Sequence, residues 1–223
     1  MIMANIAIDG PAGAGKSTIA KKVAKELGFV YVDTGAMYRA IALSCIRSGI
    51  DVKDEENVVK ECENAKVSIK YTNGSQKIFL GDEDVTSTIR NEEVGNGASA
   101  VSVYGRVRSR LVKMQQELAA NTDVVMDGRD IGTVVLPNAT LKVFLTASVE
   151  ERAKRRVNEM AEKGVTVDLE QTKAEIAMRD ERDTTRKESP LKQADDAILL
   201  DSTSMTIDEV KNSIINLYKK AIA

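Results

Sequence analysis

Gly10-Pro11-Ala12-Gly13-Ala14-Gly15-Lys16-Ser17 is the stretch on which the reading of this chain turns. It fits the pattern G-x-x-x-x-G-K-[ST]. Glycines at 10, 13 and 15 let successive backbone amides turn inward around phosphate oxygens. A helix opening near Lys16 points its positive end at the same anion. Lys16 brings a mobile cation to the β- and γ-phosphates, and Ser17 offers a hydroxyl to Mg²⁺. The surroundings argue against a chance match. Asn5 to Asp9 reads as a short buried strand, and Lys16 to Leu27 carries Ile19, Val23 and Leu27 at helical spacing before Gly28 stops it. Residues 10–18, with Thr18 as a second hydroxyl beside Ser17, are therefore the expected ATP site.

Outward from this loop the elements keep alternating. Phe29 to Val32 reads as a strand, and Ala36 to Ser48 as a helix ended by Gly49. That order implies a parallel sheet with helices on its faces. After a polar helix (Asp54 to Ala65) the period changes. Val67, Ile69 and Tyr71 alternate with polar residues, Asn73-Gly74 follows, and Gln76 to Leu80 continues, a hairpin signal. Residues 66–98 are thus expected to form an inserted subdomain, set in a core made of 1–65 and 99–223. Beyond it the spacing predicts a helix over Tyr104 to Ala120, a strand Val124 to Met126 ending at Asp127, and a strand Lys142 to Leu145. A helix Val149 to Glu162, a charged helix Leu169 to Glu188, a strand Ala197 to Leu200 and a helix Thr206 to Ile222 complete the chain. The expected class is α/β: a P-loop NTPase fold with a parallel five-stranded sheet flanked by helices, plus a small antiparallel β insert.

The 223 residues suit one α/β domain with an elaboration or two small domains. There is no histidine, which removes Ser-His-Asp and Cys-His catalysis and the usual zinc hydrolases. Cys45 and Cys62 are too few for a disulfide framework. A net charge of −2 speaks against a sequence-independent nucleic-acid binder. The apolar runs are too short for a membrane span, and Met1-Ile2 leads into Ile6, Ile8 and Gly10 without the pattern of a signal peptide. A cytoplasmic, monomeric protein with small-molecule partners, no nucleic acid and no membrane is the expectation.

Arginine is gathered in three places. Arg106, Arg108 and Arg110 lie in one helix, Arg152, Arg155 and Arg156 share a helical face, and so do Arg179, Arg182 and Arg186, with Asp183 beside them. Solvated charge faces laced by Asp180, Glu181 and Asp183 are the ordinary meaning of such runs. Beside a phosphate loop another meaning gains weight. Moving a phosphoryl group between two anions requires cations around the triphosphate, the acceptor and the transition state, and forked guanidinium groups suit that task. Asp127, at the end of an apolar strand, is the candidate to hold Mg²⁺ or its waters together with Ser17. No N-K-x-D guanine motif is present, so a GTPase switch is disfavoured.

Four runs together resemble the bacterial cytidylate kinase family. They are Ile8-Asp9-Gly10-Pro11, Asp33-Thr34-Gly35-Ala36-Met37-Tyr38-Arg39, Asp127-Gly128-Arg129-Asp130-Ile131-Gly132-Thr133 and Arg179-Asp180-Glu181-Arg182-Asp183. The likeness covers nearly the whole chain, and Asp-Gly-Arg-Asp is its most specific part, since other nucleoside monophosphate kinases generally carry Asp-Gly-Phe-Pro-Arg. The antiparallel insert is also similar to the bacterial form. The resemblance implies transfer of the γ-phosphate of ATP to CMP or dCMP. It implies a CMP site of Thr34, Arg39, Ser99, Arg108, Arg129 and Asp130, with Ser99 and Asp130 reading cytosine. Asp183 would hold the sugar hydroxyls, with Arg179 beside it. Arg152, Arg155, Arg156 and Arg186 would lie on or near a short lid spanning 152–186 and meet the ATP phosphates. Lys16, Arg129, Arg152, Arg156 and Arg179 would carry the catalytic charge. Where the family often has Gly-Lys-Gly-Thr this chain has Gly-Lys-Ser-Thr, so Ser17 or Thr18 could meet magnesium. The rivals are a kinase of UMP, AMP or shikimate, a nucleotide-dependent switch, and a P-loop scaffold without activity.

Overall fold

The computed structural model describes residues 3–72, 74–162 and 164–223. Its order is β1 (Asn5–Asp9), α1 (Lys16–Leu27), β2 (Val30–Asp33), α2 (Thr34–Arg47), α3 (Glu55–Asn64), β3 (Val67–Thr72), β4 (Ser75–Leu80), β5 (Glu83–Asp84), α4 (Glu92–Val101) and α5 (Gly105–Asn121). Then come β6 (Val124–Gly128), β7 (Leu141–Thr146), α6 (Val149–Glu162), α7 (Leu169–Thr185), β8 (Ile198–Asp201) and α8 (Ile207–Ala221). Five strands form one parallel sheet in the order β2-β6-β1-β7-β8, and β3-β4-β5 form a separate antiparallel sheet. The expected α/β core with its antiparallel elaboration is the fold of this chain. Asn73, half of the expected hairpin dipeptide, lies outside the described residues, as do Met1 and Ile2.

Side chains on the parallel strands alternate between two apolar layers, as period-2 strands covered on both faces must. Ile6, Ile8, Tyr31, Val125, Val143 and Leu145 pack with Ile19 and Val23 of α1 and Ile214 and Ile215 of α8. Ala7, Val32, Val124 and Met126 face the other way, against Ala119 of α5 and the turn carrying Ile131 and Val135. A third cluster joins α2, α3 and α5 to the antiparallel sheet through Ile41, Val58, Ile78, Val85 and Leu111. Helix starts are marked in the sequence by capping residues. Asp33 accepts from the Ala36 amide at 3.0 Å, and Thr206 and Glu209 form a reciprocal box on α8. The helix α1 is different: Gly15 precedes it with no side-chain cap, which leaves its first amides free for an anion. Among the described residues no helix is long and apolar enough to cross a membrane.

Two elements depart from the sequence expectation. The antiparallel sheet runs only from Val67 to Asp84, and residues 92–101 instead form α4. That helix holds Gly95 and Gly97, poor helix formers. Tertiary packing overrides the propensity. A Cβ on Gly95 would come within 3.0 Å of the Arg39 guanidinium, and one on Gly97 within 3.1 Å of the Ala42 Cβ, so the glycines let α4 lie close on α2. The charged helix α7 ends at Thr185, three residues before Glu188. Arg186 is extended there, and the Leu191 amide donates back to the Asp183 carbonyl at 2.8 Å, folding the chain onto the site.

Candidate active site

The parallel topology brings the carboxyl ends of β1, β2 and β6 side by side, with Asp33 opposite Asp127 and Asp9 opposite Gly128. This edge of an open α/β sheet is where ligands bind. The phosphate loop leaves β1 and passes into α1. Lys16 is buried at its mouth, and its ammonium donates to the Pro11 carbonyl at 2.7 Å. Ser17 donates to Asp127 Oδ2 and Tyr31 to Asp127 Oδ1, each at 2.9 Å. Thr18, the alternative hydroxyl, is exposed. Asp9 anchors the following turn by accepting from the Ile131 amide at 2.8 Å and the Gly132 amide at 2.7 Å.

Cations converge above this loop with too few anions to match them. Arg179 is pushed down to about 10, by burial first and then by Arg129, with Arg39 and Arg182 adding to Arg129 and Asp183 opposing. Its Nε is buried without a hydrogen-bond partner. The Lys16 ammonium is held well below its ordinary value by burial, then by Arg129 and, more weakly, Arg179. Arg39 is lowered by burial, then by Arg90, with Arg156 and Arg129 contributing. Asp183 is the local counter-charge and accepts from Arg129 Nε at 2.8 Å. Burial works against its charge, but Arg129, then Arg179 and Arg186, outweigh burial and hold its carboxyl below the usual range. Buried cations held down by their neighbours' charge in one enclosed space are suited to a multiply charged anion.

A second group lies beside the first. Arg108 and Asp130 form a buried ion pair; the guanidinium also donates to the Ser102 carbonyl at 3.1 Å and lies over the Tyr38 ring at 5.6 Å. Arg182 donates to Ser99 Oγ at 3.2 Å, and Thr34 donates to the Asp127 carbonyl at 2.8 Å. Ser99, Thr34, Arg108 and Asp130 are all buried.

Not every arginine sits where the resemblance implies. Arg152 is buried beneath the loop, with Nη1 on the Ala12 carbonyl at 2.9 Å, Nε on the Ala147 carbonyl at 2.9 Å and Nη2 on Asp180 at 2.6 Å. All three groups are engaged with protein, so it braces the loop backbone. Arg155 is turned to Ser202 and Glu151. Arg156 is exposed, 3.6 Å from Glu159, and reaches the site only through its field at Arg39. Arg186 lies 4.0 Å from Asp130 and donates to the Ser189 carbonyl, so it belongs with the Arg108–Asp130 pair and not with the loop.

Sequence reasoning passed over Arg90, Tyr31 and the role of Asp33. Asp33 Oδ2 accepts from Arg90 at 2.7 Å while Oδ1 caps α2. Arg90 stands alone in the sequence, so no cluster points to it; a carboxylate ending a second strand, beside the quoted Asp33-Thr34-Gly35 run, was the available signal for Asp33.

Burial pushes the carboxyls of both Asp9 and Asp127 up to about 6; neighbouring charge, chiefly Asp33 in the case of Asp127, adds to this. A carboxyl raised in the folded state stabilises the fold below the unfolded pKa and loses that contribution as pH rises through the folded one. Asp127→Asn is therefore expected to gain stability relative to the parent, by on the order of 2 kcal/mol, between pH 4 and pH 7. Denaturant melts of both proteins across that range check it; a constant difference would refute it.

Comparison with known proteins agrees in direction with this geometry. The family model described as cytidylate kinase matches residues 6–220. A cytidylate kinase of Caldicellulosiruptor bescii is 53% identical over 218 residues, covering 98% of this chain and 96% of that protein. One of Shouchella clausii is 53% identical over 216 residues, covering 97% and 96%. Among solved structures, an uncharacterised protein from Eubacterium ventriosum has a TM-score of 0.52 at 14% identity, covering 97% of this chain and 99% of that one, a likeness of fold.

Proposed function

The chain belongs to the cytidylate kinase family, and from that premise we infer that it transfers the γ-phosphate of ATP to CMP or dCMP, releasing ADP and CDP or dCDP. The observation that carries the reading is the crowding of Lys16, Arg179 and Arg39, each held down by burial and by the field of Arg129, between the phosphate loop and a buried Arg–Asp pair.

In this reading the triphosphate of ATP lies on residues 10–18, in the amides left open at the start of α1, with Lys16 swung from the Pro11 carbonyl to its β- and γ-oxygens. Mg²⁺ fits the Ser17–Asp127 pair. Both offer hard oxygen donors, and the buried carboxylate lacks a full counter-charge. Among the described residues no group of three or more His, Cys, Asp or Glu could hold a metal by itself, which suits an ion that keeps waters and takes phosphate ligands. When bound, the ion neutralises phosphate charge. The acceptor monophosphate lies against Arg39 and Arg129, and its sugar against Asp183. Arg108, Ser99, Asp130 and Arg186 meet the base.

An oxygen of the acceptor phosphate attacks the γ-phosphorus in line, the bond to the β–γ bridging oxygen breaks, and ADP departs. The acceptor oxygen is already a nucleophile, so alignment and charge neutralisation do the work and no strong base is required. Arg179 and Arg129 are placed to stabilise charge on the transferring group. In this reading the chain acts as a monomer in the cytoplasm.

Cytosine presents an amino donor at N4 where uracil presents a carbonyl, and a carboxylate accepts only the former. A coupled assay with CMP, dCMP, UMP, AMP and shikimate is expected to show ADP release with the cytidine nucleotides first. In Asp130→Asn the preference for CMP over UMP in kcat/KM should fall by about 10-fold or more. ADP release independent of any acceptor would overturn the kinase reading, and an intact preference would remove Asp130 from the base site.

A further inference from the structure

The strand β2 is the outer strand of the parallel sheet, and among the described residues no strand covers its free edge. Side chains from the antiparallel sheet take that place. Gln76 of β4 spans both polar groups of one residue: Asp33 N–H donates to its Oε1 at 2.7 Å, and its Nε2 donates to the Asp33 carbonyl at 3.3 Å. Tyr71 of β3 donates its hydroxyl to the Tyr31 carbonyl at 3.2 Å. On this side the two sheets flank a cleft of about 990 Å³ whose lining includes Lys21, Phe29, Ile78 and Arg90 as well as Asp33 and Gln76 themselves. The apolar packing of the antiparallel sheet is against α2, α3 and α5, so at the β2 edge itself the connection is made by these side-chain bonds together with the Arg90–Asp33 pair.

The same residue, Asp33, is joined to the acceptor side of the site. Its carboxylate caps α2 and holds Arg90, and α2 carries Arg39. Arg39 in turn is fixed by the carbonyls of Ile89 at 3.2 Å and Asn91 at 3.5 Å, the segment by which the insert returns to the core. The contacts close a ring: Gln76 to β2, β2 to α2, Arg39 to residues 89–91, and back through the insert.

We infer that Gln76 is a positioning residue, an amide latch that docks the antiparallel sheet on the edge of β2 and so fixes the bearing of Arg39 and Arg90 toward the acceptor phosphate. The inference deepens the kinase reading and rests on it. Gln76 touches neither nucleotide. Loosening it lets the acceptor half of the site sample other orientations, while the phosphate loop, which leaves β1 two strands in from that edge, keeps its place. The latch therefore acts on acceptor affinity and leaves donor affinity alone.

The test is Gln76→Leu in the full chain, which keeps bulk and removes both bonds. KM for CMP should rise by about tenfold, with kcat and KM for ATP within about twofold of the parent. In the nucleotide-free protein the Asp33 amide should exchange with solvent about tenfold faster or more, a readout that needs no activity. Tyr71→Phe should shift both quantities in the same direction and by less. An unchanged KM for CMP with an unchanged Asp33 amide would overturn the latch. So would parallel rises in both KM values with a lowered Tm, the mark of general loosening. A parent protein that fails to phosphorylate CMP would instead overturn the kinase reading, and the Asp33 amide would still decide whether the latch exists.

Discussion

Replacing Arg179 by methionine is expected to lower kcat by about 10²–10³-fold while leaving the nucleotide-free protein at least as stable as the parent. The two halves of that result come from one cause. Arg179 is pushed well below its ordinary value, to about 10, by burial and by Arg129. At neutral pH it remains charged, and holding that charge costs on the order of 3 kcal/mol, less what solvent reaching the half-buried side chain returns. Methionine fills much of the same space without the charge, so the repulsion goes and Asp183 keeps Arg129 as its partner. The loss appears only when a phosphoryl group carries its charge into the cluster, because a preorganised donor is worth most in the transition state. Steady-state kinetics and a thermal melt on the same preparation check it. A variant with normal turnover, or one that melts well below the parent, would remove Arg179 from the proposed catalytic set.

The second large effect is steric. Gly10 has φ +148°, and a Cβ there would stand 1.9 Å from the Leu145 carbonyl oxygen on the neighbouring strand β7. No rotamer relieves a clash with backbone, so either the loop or β7 must move. Gly10→Ala is expected to lower Tm by roughly 10 °C, from about 3–5 kcal/mol of strain and lost packing in a domain of this size. It should also reduce kcat/KM for ATP by about 10³-fold, since the amides that would line the phosphate are displaced. Gly28→Ala is the control. It too has a positive φ, +73°, but nothing lies within 4 Å of the added carbon. Its cost is the left-handed conformation alone, about 1 kcal/mol, with activity retained. Equal damage at both positions would contradict the packing described around Gly10.

Much of the local structure was legible because its signals are local. The phosphate loop announces itself in eight residues, α1 and α6 begin and end where the periodicity places them, and the change from period 3.6 to period 2 marks the insert. What escaped depends on residues far apart in the chain. Arg90 meets Asp33 across 57 positions, and Arg152 braces the loop from 140 positions away. Nothing in the spacing of arginines tells which guanidinium braces backbone and which is left without partners. Helix α4 escaped for a related reason: its glycines lower its propensity, and only the close approach of α2 explains why they are there. The membership of a charged cluster was readable; the division of labour within it needed the fold.

Because the chain has no histidine, the cations of the proposed phosphate site are guanidinium groups and one lysine. Arg179, at about 10, sits some three units above neutrality, so only about one molecule in a thousand lacks that proton at pH 7, whereas the buried Lys16 ammonium is held well below its ordinary value. A unit of drift in pH, enough to flip an imidazole, leaves the guanidinium part of this grip untouched. The arginine part of the proposed site is thereby decoupled from the proton concentration, and any acid sensitivity of turnover must enter through the phosphates, the buried aspartates or Lys16.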